Sequence, residues 1–306
     1  MENGSSHQHF ILNGFHELGA LRPLLFIPFS IMFVVSLLSN CLLLYIIVSQ
    51  RSLHSPMYVL IGSLACIDLS LPLFFVPNML LSFLFGWRGI SLTGCLLQMY
   101  FIHFVGCFQS TLLLWMALDR YFAICTPLYY HQRMSAPRFL KFVVPLVIRN
   151  VLMNTGIVSL AGTLSFCTNV INHCLCEHMA LVELACGSIT INNLLGLLTV
   201  FLIPVFDVIF IFGSYVVIFS SVRKSGQSGV KALHTCVTHV VVISVCLTLA
   251  LIALLSYRIR NNLPAAVRVF FSTMYLLFPS CFNPIIYGIR TTEIRQHILK
   301  MLDRLK

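Results

Sequence analysis

Long runs of apolar residues alternate with short polar gaps along the whole chain. A helix that crosses ~30 Å of hydrocarbon needs about 20 apolar residues. Seven stretches reach that length, at about 24–50, 57–83, 92–125, 138–162, 189–223, 230–258 and 265–289. Prolines inside them (Pro28, Pro72, Pro77, Pro145, Pro204, Pro279 and Pro284) do not argue against helices, because membrane helices tolerate kinks where neighbours re-satisfy the freed backbone groups. The sequence shows no internal repeat or low-complexity tract, and most gaps are too short for a second domain; the longest is about 163–188. Beyond Gly288, the apolar residues Ile294, Ile298, Met301, Leu302 and Leu305 fall near one helical face, with Glu293, Arg295, Lys300 and Arg304 mostly elsewhere. This pattern predicts a helix lying in the membrane interface, with a frayed basic tail as the alternative. The expected fold is an all-α membrane protein, a seven-transmembrane helix bundle with a short amphipathic eighth helix. Residues 1–23 form the N-terminal tail, 24–290 the bundle and 291–306 the amphipathic helix and tail.

Composition agrees with that reading. Of 306 residues, 58% are hydrophobic and 9% charged, with a mean hydropathy of +0.94. Soluble domains carry about 25% charged residues, so a water-exposed globule is excluded. The net charge of +10 is unevenly placed. Arg51, Arg133, Arg138, Lys141, Arg223, Lys224, Lys231, Arg290, Arg295, Lys300, Arg304 and Lys306 occupy alternate gaps and the tail; Arg22, Arg88, Arg258, Arg260 and Arg268 occupy the others. The positive-inside rule puts the first group in the cytoplasm and the N-terminus outside, as expected of a multi-pass protein of the plasma membrane. The charge is a topology signal and not a nucleic-acid-binding face, which would need a charged soluble surface. No basic segment precedes an apolar core near Met1, so the first span is expected to serve as an uncleaved signal-anchor. Asn3-Gly4-Ser5 is a glycosylation sequon on the outer side of this topology.

Polar residues inside the spans are few and costly. Asp68 lies deep in the second span, and Asn40 and Asn283 are its natural partners. Arg149 lies near the middle of the fourth span and must be buried or water-linked; the sequence assigns it no role. Asp119 and Arg120 end the third apolar run, at the expected membrane boundary. No paired acid/base or metal constellation stands at membrane depth, which argues against an enzyme. The lack of an inverted repeat argues against a transporter. Of twelve cysteines, most sit within spans as small apolar fillers. Cys95, Cys167, Cys174, Cys176 and Cys186 fall on the oxidising side, where disulfides persist. The run His173-Cys174-Leu175-Cys176-Glu177-His178 also offers soft metal ligands, in competition with those disulfides. On the third span, His103, Gly106, Cys107 and Ser110 share one helical face. At 1.5 Å per residue, His103 lies about 12 Å below Cys95.

The run Met116-Ala117-Leu118-Asp119-Arg120-Tyr121-Phe122-Ala123-Ile124-Cys125 resembles the third helix of a rhodopsin-like G-protein-coupled receptor. Continued through Thr126-Pro127-Leu128-Tyr129-Tyr130, it resembles the odorant-receptor branch of that family. Three further stretches carry the same resemblance: Leu53-His54-Ser55-Pro56-Met57-Tyr58, Ser214-Tyr215 and the run Lys231 to His239 (with His234 where serine is commoner), while Asn283-Pro284-Ile285-Ile286-Tyr287 resembles the seventh-helix motif of the wider rhodopsin-like family. Cys176-Glu177-His178-Met179 and the shape of 257–268 resemble the fish-like, class I branch. The sixth span lacks the tryptophan–proline toggle of most rhodopsin-like receptors, and Asp207 stands where the fifth helix usually has proline. The usual toggle mechanism is therefore not carried over.

The resemblance implies a set of roles. Asp119 holds Arg120 at rest within the Asp119-Arg120-Tyr121 motif, and release of Arg120 exposes it to a G protein. Tyr215, His239, Asn283, Pro284 and Tyr287 belong to the same activation machinery. Water joins Asn40, Asp68 and Asn283, and many members bind a sodium ion there; Gln109 and Ser110 leave the remaining ligands open. The disulfides implied are Cys95–Cys176 and Cys167–Cys186, with Cys174 left over as an alternative partner in place of Cys176. A ligand would sit between helices 3, 5, 6 and 7, against His103, Gly106, Cys107, Ser110, Thr199, Ile203, Ala250, Leu254 and Thr273. Ile102 replaces the aspartate of amine receptors and Leu277 the lysine that holds retinal, which leaves a small, partly apolar organic molecule. Arg258 either faces inward and pairs an acidic odorant bidentately, or points to headgroups, Glu177 or Glu183. The expected partners are an odorant, a stimulatory G protein that raises cyclic AMP, and membrane lipid, with no nucleic acid and no cofactor beyond the sodium ion. A chemosensory receptor outside olfaction, or a transporter, is the alternative, and cyclic-AMP output against substrate flux separates them.

Overall fold

The computed structural model describes residues 7–224, 228–258 and 263–305, with side chains at 224, 228–235, 254–255, 257–258 and 304–305 left aside. The Asn3 sequon and the Leu254 and Arg258 side chains therefore lie outside what is described. Seven long helices cross the molecule: α1 Phe26–Ser49, α2 Pro56–Phe85, α3 Leu92–Cys125, α4 Ala136–Gly162, α5, α6 Ser228–Arg258 and α7 Ala265–Arg290. The α5 helix runs as Thr190–Val200, a π-helical turn Phe201–Val205, and Phe206–Lys224. An eighth helix, α8 Thr292–Leu305, turns away after α7. All seven long helices contain windows apolar enough to span a membrane. The fold is a seven-transmembrane bundle with the expected amphipathic helix behind it.

Local chemistry sets the helix ends. The Ser91 side chain caps α3 by accepting from the Gly94 N–H at 3.1 Å. Pro56 opens α2 at its first turn, where the missing N–H has no helical partner to lose. Gly86 ends α2 in the left-handed region, φ 71°. The π turn surrounds Pro204, whose ring displaces the usual carbonyl and removes a donor.

The α3 helix is the axis of the bundle and packs against α2, α4, α5 and α6, while α1 and α7 close the ring against α2. Many apolar side chains point outward, among them Leu38, Tyr45, Val48 and Phe212, as a lipid-facing surface requires. We call the end that carries the N-terminal segment the N-terminal face and the end that carries α8 the C-terminal face.

The N-terminal segment is polar in sequence but packs as part of the fold. Strand β1 His9–Leu12 lies between β2 Gly89–Ser91, antiparallel, and β3 Val170–Ile171, parallel. Phe10 is buried beneath it, edge-on to Phe166 at 5.1 Å. A 3-10 run, His16–Leu25, then leads into α1. Arg22 is buried there and donates to the Gly14 carbonyl at 2.9 Å, the Ser82 carbonyl at 2.8 Å and the Ser82 hydroxyl at 2.6 Å. The Glu17 carboxylate accepts from the Ala265 and Ala266 N–H groups at 3.2 and 3.1 Å, which caps α7. Gly14 is obligatory, because a Cβ there would overlap the Cys174 thiol and backbone.

Candidate functional site

The shared face of α3 reaches several elements in turn. His103 lies 6.4 Å from His178, ring centroid to centroid and edge-on. His178 belongs to a short helix, His178–Val182, in the loop before α5. It packs on Gly196 of α5, where an added Cβ would come within 3.2 Å of the ring. Asn192 of the same helix stands beside it. One turn below His103, a Cβ on Gly106 would sit 3.5 Å from the Tyr275 hydroxyl of α7. Cys107 donates weakly to Asn154 of α4, S···O 4.0 Å. Ser110 donates to Asp207 of α5 at 3.0 Å. The four positions thus look toward α4, α5, α7 and the loop. His103 Nε2, His178 Nε2 and Asn192 Oδ1 are buried with no partner among the described residues, so each keeps hydrogen-bonding capacity for water or another polar atom.

The other expected lining residues are placed less uniformly. Thr199 and Ile203 on α5 are buried, with Thr199 bonded back to Leu195. Thr273 on α7 is buried and bonds back to Val269, so its hydroxyl is already used. Ala250 on α6 is half-buried. Tyr275 and Asn192 were not singled out in the sequence, since nothing local marks an aromatic hydroxyl or an amide in an apolar span as site-facing. A cavity of about 260 Å³ lies on the opposite side of α3, against α2, lined by Leu71, Phe74, Phe101, Ile102, Val105 and Phe108 among others. Its lining is the α3 face that turns away from His103.

A polar cluster lies below. Asp68 accepts from Gln109 at 2.8 Å and from Asn283 at 2.9 Å. Asn40 makes no direct bond to Asp68; its amide donates to the Ser36 and Ser280 carbonyls at 2.9 and 2.7 Å, which ties α1 to α7 through backbone, while its Oδ1 is buried with no partner among the described residues. Gln109 takes the place beside Asp68 because its longer side chain reaches from α3. A sodium shell is poorly served here. There is one carboxylate, both of its oxygens accept amides, and Ser110 is turned to Asp207.

Arg149, without a role in the sequence, pairs with Asp207 across α4 and α5 at 2.9 Å. It also donates to Thr111 at 3.2 Å and to Asn150 at 3.1 Å, while Ser110 and Thr111 donate to Asp207. The pair binds α3, α4 and α5 at mid-depth, where an unpaired charge would be costly.

At the C-terminal face, Arg120 bonds Asp119 through Nε at 3.1 Å and Nη2 at 2.8 Å. Tyr130 donates to the other Asp119 oxygen at 2.7 Å. Tyr121 flanks them, half-buried. Tyr287 and His239 meet at 3.5 Å between α7 and α6, and Pro284 is buried one turn before Tyr287. The Tyr215 hydroxyl is buried without a partner among the described residues.

The loop over the N-terminal face is fastened by Cys95–Cys176 and Cys167–Cys186. Cys174 is free and buried. With Cys176 in a disulfide, the histidine–cysteine run loses a soft ligand, and no group of three metal-binding side chains forms among the described residues. Burial pushes the Glu177 carboxyl up to about 7, against the N–H groups of Met179 and Ala180 that favour its charge. Burial also lowers His173 and His178 to about 4, so both rings are neutral at pH 7.

Residues 29–304 match the family model described as Olfactory receptor. Olfactory receptor 52K1 of Homo sapiens is 38% identical over 298 residues, which cover 96% of this chain and 95% of that protein. Olfactory receptor 52A5 of Homo sapiens is 38% identical, over 95% of this chain and 94% of its own length. Olfactory receptor 51G1 of Homo sapiens is 35% identical, over 97% and 94%.

Proposed function

The chain belongs to the olfactory receptor family, and from that premise we propose that it binds a small, polar-tipped odorant from its N-terminal face and activates a stimulatory G protein, raising cyclic AMP. Family membership makes it a multi-pass, odorant-activated receptor of the G-protein-coupled class and not an enzyme. In this reading it lies in the plasma membrane with the N-terminal face outside and α8 in the cytoplasm, as the basic residues of the gaps and tail favour.

The observation that carries the reading is that α3 bears both ends of the device. Its His103–Ser110 face meets the loop, α5 and α7, and its last turns carry the Asp119–Arg120 ion pair. A ligand seated against His103, Gly106, Cys107, Thr199, Ile203, Ala250, Leu254 and Thr273 shifts the bundle toward the state in which Arg120 leaves Asp119. The Nε2 atoms of His103 and His178, without a partner among the described residues, supply hydrogen bonds to the ligand's polar end. Arg258, at the end of α6, supplies the counter-charge for an acidic odorant, so aliphatic acids head the ligand set.

Gly106→Leu tests the site, because a Cβ at this position already meets the Tyr275 hydroxyl at 3.5 Å and the rest of the side chain must take up room on this face of α3. In cells supplied with a stimulatory or an inhibitory α subunit, the proposal expects an odorant response through the stimulatory one only. It expects the variant to lose potency by about tenfold or more at equal surface level, as removal of one or two ligand contacts implies. An unchanged dose–response in the variant would place the ligand elsewhere.

A further inference from the structure

We propose that the C-terminal-face end of α1 and α8 together form a site for the phosphate headgroup of an anionic phospholipid. A cavity of about 170 Å³ opens between them, lined by Ile46, Ser49, Gln50, His297, Lys300 and Met301. Its inner wall is apolar: Ile46 is buried and Met301 packs against the bundle core. Its outer wall holds an ammonium, an imidazole, a hydroxyl and an amide. His297 and Lys300 stand three residues apart on α8, so they face the same way. Arg51, next after Gln50 in the chain, is exposed.

The depth is that of headgroups. The α8 helix is amphipathic: Ile294 is buried against the bundle, while Leu299 and Leu302 are 53% and 51% exposed, which suits a helix lying in the interface with apolar side chains in lipid. Above the cavity, α1 presents a continuous apolar strip through Leu38, Leu42 and Tyr45, all exposed, and these follow helical spacing to Ser49. A phospholipid would set its acyl chain along that strip and its phosphate against Lys300, His297 and the second N–H of the Gln50 amide, the Ser49 hydroxyl being turned to the Ile46 carbonyl at 3.3 Å. The one carboxylate near the cationic wall on α8 is Asp303, exposed and three residues beyond Lys300; Glu293 is turned to Tyr58. The volume admits a phosphate and its ester links, and basic pockets at this depth bind anionic headgroups.

The test uses the full chain in nanodiscs of phosphatidylcholine with a small fraction of a fluorescent phosphatidylserine, so both leaflets are alike and the outcome does not depend on which face is cytoplasmic. Energy transfer from the protein to the labelled lipid reads site occupancy. The double variant His297→Gln with Lys300→Gln should lose affinity by about fivefold to tenfold, the scale of one to two basic side chains at a membrane surface. Arg295→Gln, off the cavity wall, should leave it within about twofold. Soluble glycerophosphoserine at millimolar concentration should fail to compete, because it lacks the acyl chain. Equal loss in Arg295→Gln and the double variant would reduce the site to a diffuse basic surface and overturn the proposal. Competition by the soluble headgroup at lipid-like affinity would overturn the acyl-chain half of it.

Discussion

Arg149 of α4 and Asp207 of α5 form an ion pair at 2.9 Å, with the Asp207 side chain fully buried and that of Arg149 18% exposed. Two hydroxyls and an amide complete the shell: Ser110, Thr111 and Asn150. Asp207 stands beside the π turn of α5. The carboxylate accepts from α3 and α4, so one side chain on α5 fixes the spacing of three helices.

Breaking the pair from either side should be worse than removing it. Arg149→Met or Asp207→Leu alone leaves a buried charge unmatched and should cost about 3–5 kcal/mol, whereas the double replacement should recover most of that. Thermal unfolding of the detergent-solubilised protein reads the difference. Equal loss in the double variant and the singles would show that the hydroxyl and amide shell, and not the ion pair, holds the three helices.

This pair also marks what the sequence leaves unread. The helices were legible because a span of about 20 apolar residues has one stable form in lipid. The disulfide partners and the Asp119–Arg120 motif were legible through family resemblance. Arg149 and Asp207 are 58 positions apart, on separate helices, and no local pattern joins them. The β1–β2–β3 sheet was missed because its strands have four, three and two residues, too short to show a period of two. The sequence does not show that Gln109 reaches Asp68 from α3, because an amide in an apolar span carries no local mark of its partner.

Arg22 ties the N-terminal segment to α2. Arg22→Ala strips three acceptors of their donor, and each unsatisfied buried group costs about 1–3 kcal/mol. Limited proteolysis should cut the segment before α1 faster in the variant than in wild type. Unchanged cleavage would mean that the sheet alone holds it.

Gly14→Ala should disrupt the same segment, because its Cβ would overlap both the Cys174 thiol and the Cys174 backbone. Adding Cys174→Ala removes the thiol but not the backbone, so the double variant should recover little. Full recovery of thermal stability would show that the thiol was the whole obstacle.

The loop over the N-terminal face carries opposed titrations. Neutral His173 and His178, lowered from 6.5 to about 4, favour the folded loop above pH 6.5 and lose that advantage as pH falls toward 4. Glu177, raised from 4.5 to about 7, acts in the reverse sense: its contribution is full below pH 4.5 and is lost as pH rises through 7. Between pH 6.5 and 4.5 the one carboxyl offsets only about one of the two rings, so a net loss on acidification remains. Glu177→Gln removes the carboxyl, so hydrogen exchange across residues 170–186, corrected for intrinsic rates, should show a steeper loss of protection on acidification than wild type. Parallel profiles would assign Glu177 no part in the balance.

The coupling of ligand to latch is read most directly in living cells. Cyclic AMP is followed during exposure to a panel of aliphatic acids, aldehydes and alcohols, in cells bearing the wild-type chain or Arg120→Ala at matched surface level. The account predicts a dose-dependent rise for at least one polar-tipped odorant in wild type and its loss in the variant. A rise of equal size and potency in Arg120→Ala would contradict it.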